Sequence, residues 1–374
     1  MPPDASRMPL VDALKAFACL SIVLHHLAFY GPMTDIAAPL MPGLIAWFND
    51  YGRMAVQVFL VVSGFLFGAR YLGKEAHARQ TIQPMAALLQ RYTRLVVPYS
   101  AALLLAIACN GLASLGMEHR SLSAPPAPGQ LLAHVLLLHN LLDEEALSAG
   151  VWYVAIDFQL FTLATLLIWL PGRIAPLRAH ARPLALALLG IMTGASLFGF
   201  NRDAWWDESA FYFFGAFGLG ILAWWAAGQR HAQLWLLGLT LLALSALVLD
   251  FRLRLAIALG VMLILGLGRH TGLLHRLPIP KPLTGLSRIS YSVFLVHFPL
   301  CLLVNAVFVS LFPSSPTLNA FGIMLAILLS LLGGWAFHRR VECRAYGLRT
   351  RLLFPAGLVA SGWLGSLMIS GLAG

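Results

Sequence analysis

Lys15 and His26 stand eleven residues apart in a long apolar stretch, DALKAFACLSIVLHHLAFYGP, that runs from Asp12 to Pro32. On a helix eleven residues are three turns and only about 20° off register, so the two side chains share one face, roughly 16 Å apart along the axis. A cation and an imidazole are costly in hydrocarbon and tend to mark a pathway or a site there. Imidazole is suited to taking a proton from a hydroxyl near neutral pH, and it can also carry an acyl group transiently. The alternative is that Lys15 snorkels to headgroups and the histidines rest at the interface. His25 points about 100° away from His26 and so lies about 80° off the Lys15 face.

Four further constellations invite chemistry. Asp157, in GVWYVAIDFQLF, lies roughly 9 Å below the interfacial aromatics Trp152 and Tyr153, and a carboxylate at that depth wants a partner. A histidine from another helix would serve. His297, in LSRISYSVFLVHFPLCLL, is nine residues beyond Arg288, hence about 14 Å up a helix and near the bilayer centre. Pro299 can kink that helix and open backbone groups beside the ring. Arg91 and Arg94, three apart in RYTRLVVPY, project from one face at headgroup level, where they suit the phosphate of an anionic lipid or of a phosphorylated cytosolic donor. Glu342 sits among Arg339, Arg340 and Arg344, where a local ion pair at the inner surface is the simpler alternative to a binding role. Ser63, Gly64 and Gly68 in VVSGFLFG have the small-residue spacing that lets helix backbones approach, and packing is their expected role.

The elements that must position these groups are membrane helices. Of the 374 residues 59% are hydrophobic and 11% charged, and the mean hydropathy is +0.80, which excludes a soluble domain. The formal charge of +10 does not point to nucleic acid, because the basic residues are scattered through short loops rather than gathered on a solvated face. The four cysteines include no close pair and no CxxC, so neither a disulfide framework nor a metal site is indicated. Eleven apolar runs bounded by Pro, Gly or charge are long enough to cross, centred near Leu20, Val61, Leu104, Phe161, Gly190, Phe217, Leu241, Val261, Cys301, Leu325 and Gly362. The first is longer than a signal-peptide core and lacks a small-residue cleavage site, so it is expected to be retained. The run from Leu131 to Leu142 is too short to cross and suits a re-entrant or interfacial helix.

Cytoplasmic loops are rich in Lys and Arg, and this selects the threading. With the N-terminus inside, the outer segments hold Arg53, Arg120, Arg202, Arg252 and Arg254, leaving 20 of the 25 Lys and Arg, Lys74 and Arg79 among them, on the inner side. A cytoplasmic N-terminus and an outer C-terminus follow. No internal repeat and no linker long enough to separate soluble domains is present.

In order along the chain, Asp12, Leu14, Lys15 and His26, then FLVVSGFLF, then Arg91, Arg94 and Pro98, then Trp152 and Asp157, then Ile289, Ser290, Tyr291, Phe294, Leu295 and His297, then Arg339 and Glu342 form six motifs. Over residues 8 to 345 this series resembles the bacterial integral-membrane acyltransferases of acyltransferase family 3. Three departures from that family's pattern stand out. Lys15 occupies a position where Arg is usual, keeping the charge but losing the guanidinium fork. Asp157 stands for Glu, with a shorter reach, and no proline follows Glu342 at the family's spacing.

The resemblance implies an all-α polytopic transmembrane helix bundle, with a ten-helix acyltransferase core over residues 1–345 and one more transmembrane helix over 346–374. It implies an enzyme of a bacterial inner membrane that moves an acyl group, acetyl above all, from cytosolic acyl-CoA to a hydroxyl of a cell-envelope polysaccharide or lipid-linked glycan. His26, Asp157 and His297 are then the expected catalytic residues, and Lys15, Arg91, Arg94 and Glu342 the expected donor-binding ones. Expected partners are the glycan acceptor, membrane lipid and, where the family's extracytoplasmic hydrolase-like domain is needed, a separate protein that supplies it. A transporter or flippase of a glycan intermediate or acyl group, with the same charges lining a path, is the alternative.

Overall fold

The computed structural model describes residues 7–73 and 83–372; Lys74 and Arg79 lie outside the described residues. Among the described residues there is no strand, and ten helices are long and apolar enough to cross a membrane. They fall on the first ten runs expected from the sequence, so the polytopic helical fold holds. The helices that matter for function are α1 (Pro9–Tyr30), α2 (Ala55–Tyr71), α3 (Pro84–Ala113), α4 (Pro128–Val135), α5 (Trp152–Arg173), α6 (Ala181–Phe198), α7 (Ala210–Ala227), α8 (Ala232–Leu249), α9 (Leu253–Thr271), α10 (Lys281–Leu311), α11 (Pro316–Phe337) and α12 (Leu348–Leu372). The last, 25 residues long, covers the eleventh expected run.

The chain divides into two compact units, and α1, α3, α5 and α10 each contribute a segment to both. The first unit comprises residues 1–18, 54–91 and 156–287. Its centre is α7, AFYFFGAFGLGILAWWAA, where Gly215 and Gly218 admit α6 and Gly220 admits α2 at close range, so that the helix is buried on nearly every side. Within its span 83% of residues are buried, against 22% for the peripheral α8. The α2 motif that carries Gly64 and Gly68 is the packing face expected from its spacing. A Cβ on Gly64 would lie 1.9 Å from the Phe217 carbonyl oxygen, and one on Gly220 of α7 would lie 2.1 Å from that of Val61. Each glycine thus accepts the other helix's backbone. On α9, Arg269 stacks over Trp224 at 3.4 Å from the ring centroid, a cation held against an aromatic face.

The second unit comprises residues 19–53, 92–155 and 288–374. The Arg288–Leu311 part of α10 supplies its core, where Phe298, Leu302 and Ala306 pack with Ala113 and Met117. α11 lies close along it, since a Cβ on Gly334 would meet Val293 Cα at 2.8 Å. The short helix Pro32–Ala37 is pinned to α10 by the Met33 N–H, which donates to Asn305 Oδ1 at 3.1 Å. α12 meets α4 where Gly362 faces Leu131.

Candidate active site

In the second unit α1 and α10 bring two histidines from opposite ends of the sequence together. His26 Nδ1 lies 2.7 Å from His297 Nε2, with the rings nearly coplanar at 6°. Both side chains are buried, His297 completely. The network assigns the protons. His297 Nδ1 faces the carbonyl oxygens of Val293 and Phe294 at 3.0 and 2.9 Å, and only an N–H can satisfy carbonyls. His297 Nε2 is therefore the lone-pair nitrogen and accepts from His26 Nδ1–H. In the neutral pair His26 keeps its own lone pair on Nε2, the atom a general base needs. The carbonyls that orient His297 are those of the preceding turn, whereas Pro299 leaves without a donor the carbonyl of Leu295. The expected role of the proline beside the ring is thus taken by ordinary helix geometry, in which a side chain leans back over the turn N-terminal to it.

His26 is walled by aromatics and by one glycine. Tyr30 and Phe298 set ring edges against it, with centroids 5.8 and 6.0 Å away. Gly150 has φ +86, a conformation L side chains rarely adopt, and a Cβ there would stand 3.3 Å from His26 Cε1 and 3.2 Å from the Phe294 ring. Sequence reading passed over Gly150, because a glycine before a helix looks like any other turn residue. His25 faces elsewhere, its Nδ1–H donating to the Phe48 carbonyl at 2.9 Å.

Asp157 and Arg91 form a pair in the first unit, the guanidinium donating to the carboxylate while it also lies over the Phe161 ring. One expectation changes: the carboxylate's partner is an arginine rather than a histidine. The physical reason is that α3 runs unbroken from Pro84 and carries Arg91 alongside α5, and a carboxylate inside a span is tolerable only when paired. Arg94, by contrast, is exposed, and Lys15 is half-buried on α1 in the first unit.

Among the described residues, none of Arg339, Arg340 and Arg344 donates to Glu342. Ser292 Oγ donates to its Oε2 at 2.5 Å and His338 Nδ1 lies 2.9 Å from the same oxygen. Ser292 is about 7 Å below His297 along α10 by helical rise.

The run expected to be re-entrant or interfacial is indeed no span. α4 has eight residues, and turns follow in which Leu137 and Asp143 have φ of 57 and 56. His134 ties this segment together, its Nδ1–H donating to the Gln130 carbonyl at 2.8 Å and its Nε2 accepting from the Leu147 N–H at 3.2 Å. His139 stacks on it at 4.1 Å. Burial holds the His134 pKa down to about 4 and that of His139 to about 3. Their folded-state values lie below the unfolded one near 6.5, so the stability they contribute is full above about pH 6.5 and drains away as pH falls toward 4. Protonating His134 Nε2 removes the acceptor of the Leu147 amide. Hydrogen exchange across residues 144–151, corrected for intrinsic rate, is expected to speed up at least tenfold between pH 7 and pH 4.5. Unchanged protection would show that these histidines do not hold the segment.

Fold and composition define a multi-pass helical membrane protein that holds ionisable groups within its spans. Residues 9–339 match the family described as an acyltransferase domain, and the chain belongs to it, as its resemblance to acyltransferase family 3 implied. It is a membrane acyltransferase. No curated protein and no solved structure matches the chain significantly.

Proposed function

We propose that this acyltransferase moves an acyl group, acetyl above all, from cytosolic acyl-CoA to a hydroxyl of a cell-envelope polysaccharide or lipid-linked glycan at a bacterial inner membrane. The observation that carries the reading is the His26–His297 pair, whose hydrogen-bond direction leaves a lone pair on His26 Nε2. The acceptor hydroxyl gives its proton to that nitrogen as its oxygen attacks the thioester carbonyl. Collapse of the tetrahedral adduct breaks the carbon–sulfur bond, and the departing thiolate takes the proton. His297 orients the base. Asp157 holds Arg91, and the exposed Arg94 is assigned to the donor's phosphates. The excess of cations on the inner side supports a donor that arrives from the cytoplasm.

Labelled acetyl-CoA given to inside-out vesicles tests this directly. Label is expected in envelope glycan, with none from right-side-out vesicles; unlabelled glycan at normal protein abundance would overturn the reading. Arg94→Ala is expected to weaken the apparent affinity for acyl-CoA about five-fold or more at normal abundance, the loss of one phosphate contact of about 1 kcal/mol or more. Arg91→Ala should instead lower the amount of folded protein, since it strands a buried carboxylate at a cost of roughly 2–3 kcal/mol. An unchanged affinity in Arg94→Ala would mean that this arginine binds lipid.

A further inference from the structure

Where α11 ends, residues 338–342 form a π-helical turn, closed by the Cys343 N–H donating to the His338 carbonyl at 2.8 Å. In an α-helix residues five apart point about 140° away from each other; the wider turn sets residue 343 over residue 338. Cys343 Sγ consequently lies 2.9 Å from His338 Nε2. On its other side His338 meets Glu342, which is fixed in turn by Ser292. A carboxylate facing Nδ1 requires the proton there, so Nε2 presents its lone pair to the thiol. Nucleophile, base and orienting carboxylate are thus in hydrogen-bonding sequence, the arrangement that activates a cysteine. The thiol is exposed, while the His338 and Glu342 side chains are only about a fifth exposed. Exposed Arg339, Arg340 and Arg344 flank it, a setting that suits a polyanionic thioester carrier.

We propose that Cys343 is a covalent acyl acceptor that takes the acyl group from the thioester donor before the glycan does. This rests on the reading of acyl-CoA as donor and adds an acyl-enzyme to it. His338 Nε2 takes the thiol proton as Sγ bonds to the thioester carbonyl carbon. The carbon–sulfur bond to the donor then breaks, and the departing thiolate recovers the proton from His338. One thioester replaces another, so no oxidant or energy source is needed.

The experiment traps the intermediate. Inside-out vesicles with the His26→Ala protein, in which onward transfer is blocked, receive labelled acetyl-CoA. The protein is expected to retain label that neutral hydroxylamine removes, and the double variant His26→Ala/Cys343→Ala is expected to retain none. His338→Ala should slow labelling tenfold or more while alkylation of Cys343 by iodoacetamide still goes to completion, which shows the thiol to be present and reachable. An unlabelled His26→Ala protein beside wild-type vesicles that do acylate glycan overturns the acyl-cysteine alone. Cys343→Ala acylating glycan at the wild-type rate does the same. Absence of label from protein and glycan alike overturns it together with the donor assignment.

Discussion

His26→Ala is expected to abolish acyl transfer, by at least a hundredfold, in a protein that still inserts and accumulates. The lost group is the only lone pair that the histidine pair offers, and a positioned general base contributes typically 10²-fold or more. His25→Gln makes the contrasting arm. His25 donates to the Phe48 carbonyl and has its Cβ region against Gly52, so it ties α1 to the short helix Pro42–Tyr51. A glutamine amide can keep that donation, and the variant should retain much of its activity with a stability loss of about 1 kcal/mol. His297→Ala belongs between the two. It removes the acceptor that orients His26 without removing the base, so kcat is expected to fall ten- to hundredfold while the KM for acyl-CoA stays put. Initial rates of glycan labelling, normalised to protein in the membrane, measure all three. Should His25→Gln be the dead enzyme and His26→Ala the live one, the assignment of the base is wrong.

Gly220→Ala is expected to damage the fold severely. Its new methyl would fall 2.1 Å from the Val61 carbonyl oxygen and 2.8 Å from the Phe65 amide nitrogen, both backbone atoms that no rotamer change can move. Gly64→Ala meets the Phe217 carbonyl oxygen at 1.9 Å and should fail the same way. α2 and α7 would have to separate at the centre of the first unit, at a cost of roughly 3 kcal/mol or more. Gly111→Ala is the control, because a Cβ there meets nothing within 4 Å and alanine is the better helix former by about 1 kcal/mol. Thermal unfolding in detergent separates them. A Gly220→Ala protein that melts with the wild type would mean that the two helices are not in backbone contact.

Much of this could be read before any coordinates. The ten crossing helices are legible because hydrocarbon demands unbroken apolar runs of a fixed length, and His26 and His297 stand out because imidazoles in such runs are expensive. The glycines of VVSGFLFG were legible as packing residues for the same kind of reason, since their spacing is the geometry of close approach. Pairings were not legible. Arg91 looks available to a phosphate until its pairing with Asp157 is known, and Asp157 looks as ready for a histidine as for an arginine. Glu342 has three arginines beside it in sequence, yet a local π turn, which leaves no compositional trace, hands it to His338 and Ser292. Gly150 matters only through a positive φ and a neighbour more than a hundred residues away.

In the proposed mechanism the single hydrogen bond between His26 and His297 also sets where charge resides during turnover. Once His26 Nε2 has taken a proton, its Nδ1 proton can shift to His297 along the 2.7 Å N···N hydrogen bond without either ring moving. The positive charge then sits on the imidazole whose Nδ1–H already faces two carbonyl dipoles, a milder place for a cation in an apolar interior. His26 is left neutral but still bearing the proton on Nε2. When the donor's thiolate departs, His26 Nε2 gives up that proton as Nδ1 takes its own back from His297, so both rings end neutral in their starting tautomers and the ring nearest the substrate is a cation only in passing.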